Sequence, residues 1–231
     1  MRTWARTGAA GREGCKSRRG PVCIIDCGLA EYRQVLARQH ELRKRRSRDE
    51  IADTVLLVEH PPVVTLGVRR SANRLLVDRS ELRKRKIDLV EIRRGGGATA
   101  HNPGQLVFYP ILDLRHQELG ISDYVRRLER IGIELLDRLG VEAERRRGLP
   151  GLWVGQKKIA SIGVRVSKFI TYHGMAININ NDLGIFELFV PCGLDGVRMT
   201  SVLEQTGRRH PMSKVKDELI GLLQGHLGAG Q

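Results

Sequence analysis

Aromatic residues are scarce in this 231-residue chain, at 4% of the total. That leaves little material for the base-stacking platforms by which single-stranded nucleic acids are commonly held. Acidic residues are also in deficit, 26 against 40 lysines and arginines, for a formal charge of +14 and a sequence pI near 10.3. No apolar run approaches the roughly 18 residues that span a bilayer. The four cysteines, Cys15, Cys23, Cys27 and Cys192, are irregularly spaced and no secretory apolar segment precedes them. This excludes a disulfide framework and predicts reduced thiols in the cytoplasm. Cys23 and Cys27 lie on an expected strand, Val22 to Asp26. Four strand residues span about 13 Å, too far for one metal ion, so no metal site is expected.

Hydrophobic residues, at 41%, suffice for a sizeable core. Residues 1–20 carry six basic residues against Glu13 alone and read as a disordered tail or an over-long reading of the start codon. Residues 21–231, with no linker dividing them, are expected to form one catalytic domain. The basic runs Arg43-Lys44-Arg45-Arg46, Arg83-Lys84-Arg85-Lys86 and Arg145-Arg146-Arg147 fit solvated faces or the docking of an acidic carrier protein.

Leu29, Tyr32, Leu36 and Leu42 mark a helix over 29–45, and Thr54 to Glu59 a buried strand. Pro61-Pro62 holds the chain extended after it. Strands over 87–93 and 105–112 bracket a glycine-rich turn. Tyr124, Val125, Leu128, Ile131, Leu135 and Leu139 keep helical spacing over 122–139, with Ser122 as N-cap and Gly140 as stop. Period-two alternation then predicts strands through Ile162 to Ser167 and Met175 to Asn180, and 213–223 a closing helix. The order of elements implies an α/β (α+β) domain, a mixed β-sheet with flanking helices.

Three segments hold reactive or polar residues among glycines. Arg94-Gly-Gly-Gly-Ala-Thr-Ala-His101 lets the backbone approach a ligand closely, but lacks the ending of a nucleotide-binding P-loop. Lys158, in Gly155-Gln-Lys-Lys-Ile-Ala-Ser-Ile-Gly163, stands at the start of an apolar strand, where burial would tune its charge. Cys192 lies between Pro191 and Gly193 in a loop, where a thiolate could be reached.

With Thr171-Tyr-His-Gly-Met-Ala176, these segments resemble the lipoyl(octanoyl) transferase family over about 22–207. Its motifs R-G-G-x-x-T-x-H, K-I-A-S-I-G, H-G-x-A and P-C-G occur here in order. The resemblance implies the fold of biotin and lipoate ligases. It implies transfer of an octanoyl or lipoyl group from acyl carrier protein to a lysine of lipoyl domains, the first step of endogenous lipoylation. The acceptors would be 2-oxoacid dehydrogenase E2 subunits and the glycine cleavage H protein. Cys192 would be the nucleophile and Lys158, rather than Lys157, would lower its pKa. Arg94, Gly95, Gly96, Gly97, Ala98, Thr99, Ala100, His101, Ser161, Ile162, Gly163, Gly174, Met175 and Ala176 would bind the acyl group. His173 and Gly193 would support, Gly193 as an oxyanion donor. No cofactor, metal, membrane or nucleic acid is implied, and a cytoplasmic monomer is expected. Ala100, Asn102 and Gly97 depart from the family's usual aromatic, glycine and glutamine. Two rivals remain: an ATP-dependent lipoate or biotin ligase on the same fold, which has no use for Cys192, and a basic RNA-binding module.

Overall fold

A computed structural model describes residues 21–228. The basic tail expected over 1–20 lies outside the described residues. In chain order the strands are β1 (Cys23–Leu29), β2 (Thr54–Glu59), β3 (Val63–Leu66), β4 (Asp88–Glu91), β5 (Thr99–His101), β6 (Gln105–Ile111), β7 (Glu144–Arg146), β8 (Leu149–Val154), β9 (Lys157–Ser167) and β10 (Ile170–Asn178). The helices are α1 (Tyr32–Arg46), α2 (Arg79–Lys84), α3 (Ile121–Arg138), α4 (Val202–Thr206) and α5 (Met212–Leu227).

Seven strands form a mixed sheet in the order β1-β2-β6-β10-β9-β8-β7, parallel only between β1 and β2. A small sheet, β4-β3-β5, sits apart. In β2, Val55 and Leu57 report to a core with α3 and α5, whereas Leu56 and Val58 report to a second core with α1. Leu106 and Phe108 of β6 divide from Val107 and Tyr109 in the same way. Both faces of the sheet are therefore covered, which is why TVLLVE is apolar without alternation. The small sheet closes a third core with Leu82 and the 3-10 turn Leu183–Leu188.

Two expectations are corrected at helix starts. Leu29 ends β1 and is 62% exposed, so α1 begins only at Tyr32. Ser122 lies in the first turn of α3, and Gly120 is its N-cap. Gly140 does follow α3, with φ +79°. The hairpin of β7 and β8 and the short strands β3 and β5 add to the strands read from periodicity. Among the described residues no helix is long and apolar enough to cross a membrane.

Candidate active site

A cleft runs between β9–β10 and the segment 94–101, on the α1 side of the large sheet. It is narrow: the centre of a water molecule reaches about 30 Å³ of it. The lining includes Arg94, Gly96, Thr99, His101, Ser161, Ile162, Gly163, His173, Gly174, Met175 and Ala176 from the expected set. Sheet geometry sorts the rest. Successive residues of β5 face opposite ways, so Thr99 and His101 meet the cleft while Ala98 and Ala100 fill the third core. Gly95 is a stitch, its N–H donating to the Val164 carbonyl at 3.1 Å. Gly97 packs on Ala72, whose Cβ would stand 2.4 Å from an added Cβ. Gly95, Gly97, Ala98 and Ala100 thus stand behind the cleft wall, against its supports. The departure at Ala100 falls on the core side and leaves the cleft wall unchanged.

Ile162 and Met175 contribute chiefly main chain, because their side chains belong to the α3 core. Gly163 and Gly174 face each other across β9 and β10. The first makes room for Arg94, whose Cδ would lie 2.8 Å from a Cβ there. Buried Arg94 donates from Nη2 to the Thr65 carbonyl and hydroxyl, and from Nη1 to the Gly95 carbonyl, at 2.8–3.0 Å. The floor is backbone.

Lys158 owes its position to a β-bulge. Leu152 pairs with Ala160 but Trp153 pairs with Lys158, so β9 carries one residue more than β8. Ile159 and Ala160 both enter the α3 core, which turns Lys158 onto the face that carries Ser161. The side chain is 2% exposed. Its Nζ donates to the Pro150 carbonyl at 2.8 Å and lies 5.2 Å from the centre of the Trp153 ring. Gly151, at φ +118°, leaves the space: a Cβ there would sit 2.7 Å from Lys158 Cε. Lys157, by contrast, is half-exposed and ion-paired to Glu204.

Cys192 occupies a 3-10 turn, Pro191–Gly193. The loop is pinned at both ends. The Val190 N–H donates to the Arg74 carbonyl, the Lys158 N–H donates to the Arg198 carbonyl at 2.8 Å, and the Thr200 N–H donates to the Lys158 carbonyl at 2.9 Å. Ala72 touches both Gly97 and Gly193, and so brings the glycine-rich segment and the cysteine turn together. Gly193 has φ +70°, and its N–H donates to the Val190 carbonyl at 3.1 Å. That amide closes the turn, and Gly193 shapes the loop.

Sequence reasoning missed Tyr32, Val107 and Tyr109 in the cleft wall, and His60 behind it. His60 Nδ1 lies 2.7 Å from the Ala30 carbonyl, so it carries the hydrogen, and Tyr109 O–H donates to His60 Nε2 at 2.9 Å. The Tyr32 ring stacks on His101 at 5.7 Å. Burial pushes the three imidazoles down: His60 to about 4, His173 to about 3 with help from Arg94, His40 and Arg165, and His101 well below its ordinary value. All three are neutral at physiological pH. Their burial was not legible in the sequence, and His60 carried no motif to mark it, since it is tertiary packing that buries all three.

Outside the cleft, Asp49, Asp113 and His116 bring ligand atoms within 4.8 Å of one another. Arginines already hold them: Arg46 binds Asp49 and lies 2.6 Å from His116 Nδ1, and Arg115 binds Asp113. The group belongs to an ion-pair network centred on buried Arg46 that also takes in Asp53. Cys27, raised to about 11 by burial and by the charge of Asp26, stays a thiol.

A mixed sheet with its cleft between a glycine-rich segment and a lysine-led strand is the fold of the lipoate and biotin protein ligases. Residues 31–224 match the family model of the lipoyl protein ligase A/B catalytic domain. A lipoate protein ligase from Thermoplasma acidophilum superposes with a TM-score of 0.68 at 17% identity, over 91% of this chain and 84% of that one. The biotin protein ligase of Aquifex aeolicus gives 0.52 at 14%, over 90% and 70%. Proteins named octanoyltransferase are nearer in sequence. One from Desulfovibrio desulfuricans is 45% identical over 73% of this chain and 71% of its own length. Another, from Roseiflexus sp., is 43% identical over 87% and 85%. The chain belongs to the octanoyltransferase family and is an acyltransferase.

Proposed function

We propose that this enzyme moves an octanoyl or lipoyl group from acyl carrier protein to a lysine of lipoyl domains, through a thioester on Cys192. The observation that carries the reading is the placement of Lys158. A bulge and Gly151 hold it buried, and its N–H and carbonyl pair with Arg198 and Thr200 at the far end of the loop that bears Cys192.

In the first half-reaction Cys192 gives its proton to Lys158 and attacks the donor thioester carbonyl. The donor's carbon–sulfur bond breaks, and its thiolate leaves with the proton from Lys158. In the second, a lysine amine of the acceptor attacks the Cys192 thioester and passes a proton to Lys158. An amide forms and Cys192 departs as thiolate. Exchange between thioesters is nearly isoenergetic, so ATP has no part. The site of action is the cytoplasm, and residues 21–231 act as one catalytic domain.

An intact-mass spectrum after mixing with octanoyl-acyl carrier protein, without ATP, tests this. Wild type is expected to gain one octanoyl group, Cys192→Ala none. Acylation of a lipoyl domain only when ATP is added would overturn the reading in favour of a ligase.

A further inference from the structure

The geometry points to Asn178, at the end of β10, as a positioning residue that joins the tautomer of His101 in the cleft to the backbone bracketing Lys158. The inference rests on the reading of Lys158 given above. Asn178 Nδ2 donates to the Thr200 carbonyl at 2.9 Å. A carbonyl has no hydrogen to give, so this contact fixes which end of the amide faces Thr200. The Thr200 N–H in turn donates to the Lys158 carbonyl at 2.9 Å.

With its nitrogen committed, Asn178 presents Oδ1 on the other side. It accepts from Gln105 Nε2 at 2.8 Å and from Asn181 Nδ2 at 3.2 Å. Gln105 Nε2 also donates to the Ala100 carbonyl at 3.3 Å. A flipped Gln105 would set its oxygen against two acceptors. Gln105 Oε1 therefore faces His101 Nδ1, 2.7 Å away, and that ring nitrogen must carry the hydrogen. The other nitrogen is left as an acceptor on a ring that lines the cleft. Asn178, Gln105, His101 and Thr200 are all buried, where each hydrogen bond resists replacement by water. Burial also keeps His101 neutral, so one hydrogen is all the ring has to place.

Asn102 completes the brace. Its Oδ1 accepts from Asn181 Nδ2 at 3.1 Å and its Nδ2 donates to the Asp182 carbonyl at 2.8 Å. The departure from the family's glycine at this position thus anchors the segment beyond β10.

Nitrogen-15 spectra of histidine-labelled protein read the tautomer directly, with His101 assigned by its loss in His101→Gln. Wild type is expected to show hydrogen on Nδ1. Asn178→Ala is expected to release it toward Nε2 and to lower kcat for acyl transfer about tenfold, with KM for the octanoyl carrier within about twofold. Gln105→Met cuts the His101 arm, with the Ala100 contact, and leaves the Thr200 arm in place, so it should release the tautomer with a smaller fall in kcat. It also keeps the test decisive if Asn178→Ala folds poorly. Hydrogen on Nε2 in wild type, an Nδ1 hydrogen retained in Asn178→Ala, or a loss confined to KM would each overturn the inference. Failure of the Cys192 thioester to form in wild type would strike the proposed reaction instead and leave the tautomer result standing.

Discussion

A lysine ammonium or amine enclosed by protein needs space, partners and a backbone that aims it. Lys158 has the space because residue 151 is glycine. Gly151→Ala would place a Cβ 2.3 Å from the Ala160 carbonyl oxygen at a φ of +118°. We expect this variant to lose about 1–3 kcal/mol of stability in urea denaturation and to react slowly with the octanoyl donor. In the proposed reaction Lys158→Ala removes the proton relay, and thioester formation, followed by rapid-quench mass spectrometry, is expected to fall about 10² to 10⁴-fold. A rate within twofold of wild type would remove Lys158 from the chemistry. The place of Lys158 at the start of an apolar strand was legible in the sequence; the part of Gly151 was not, because it appears only when β8 and β9 are paired.

At the scale of elements, period and alternation carried most of the reading. The helix over 122–139 was recognisable because its apolar residues recur with helical spacing, and the observed span differs by a residue at each end. The resemblance could not sort residues 94–101, since motif membership is one-dimensional while a strand has two faces. His101 and Ala100 are neighbours in the motif and opposites in the fold. The bulge at Ile159 was likewise hidden: without it Lys158 would share the face of Ala160. The cysteine turn offers a test at this scale. Gly193→Ala would bring a Cβ to 2.6 Å from Ala72 Cβ and 2.7 Å from its Cα, at a φ of +70°. The loop must shift, so we expect kcat for acyl transfer to drop at least roughly tenfold, with thermal stability changed by about 1–3 kcal/mol. An unaltered kcat would show that the turn's geometry does not matter to the reaction.

The whole molecule carries a charge of +14, which fits an acidic carrier protein as the proposed donor. Association should then be steered by the field and weaken as salt rises. We expect kcat/KM for the carrier donor to fall steeply between low and physiological ionic strength, and a flat profile would leave the charge without this explanation. Stability has its own pH signature. His60, His101 and His173 have folded-state pKa values below the unfolded value near 6.5. The unfolded chain therefore binds more protons below that pH. Stability is complete above it and declines as pH falls from about 6.5 toward 4, by roughly 3 kcal/mol for His60 alone. Urea melts at pH 7.5 and 4.5 check the sign.

A floor made of main chain has a consequence for how this enzyme could change its preference. Point substitution rewrites side chains and leaves peptide groups in place, so the stretch crossing Gly163 and Gly174 is sheltered from gradual drift in shape. New acyl specificities would have to be won at the walls, where Tyr32, Val107 and Tyr109 stand. Tyr32 sits on α1, far in sequence from every motif that marks the family, and Val107 and Tyr109 sit on β6, just beyond the glycine-rich one. Diversity in what such enzymes carry is thus expected to be written outside the segments by which they are recognised.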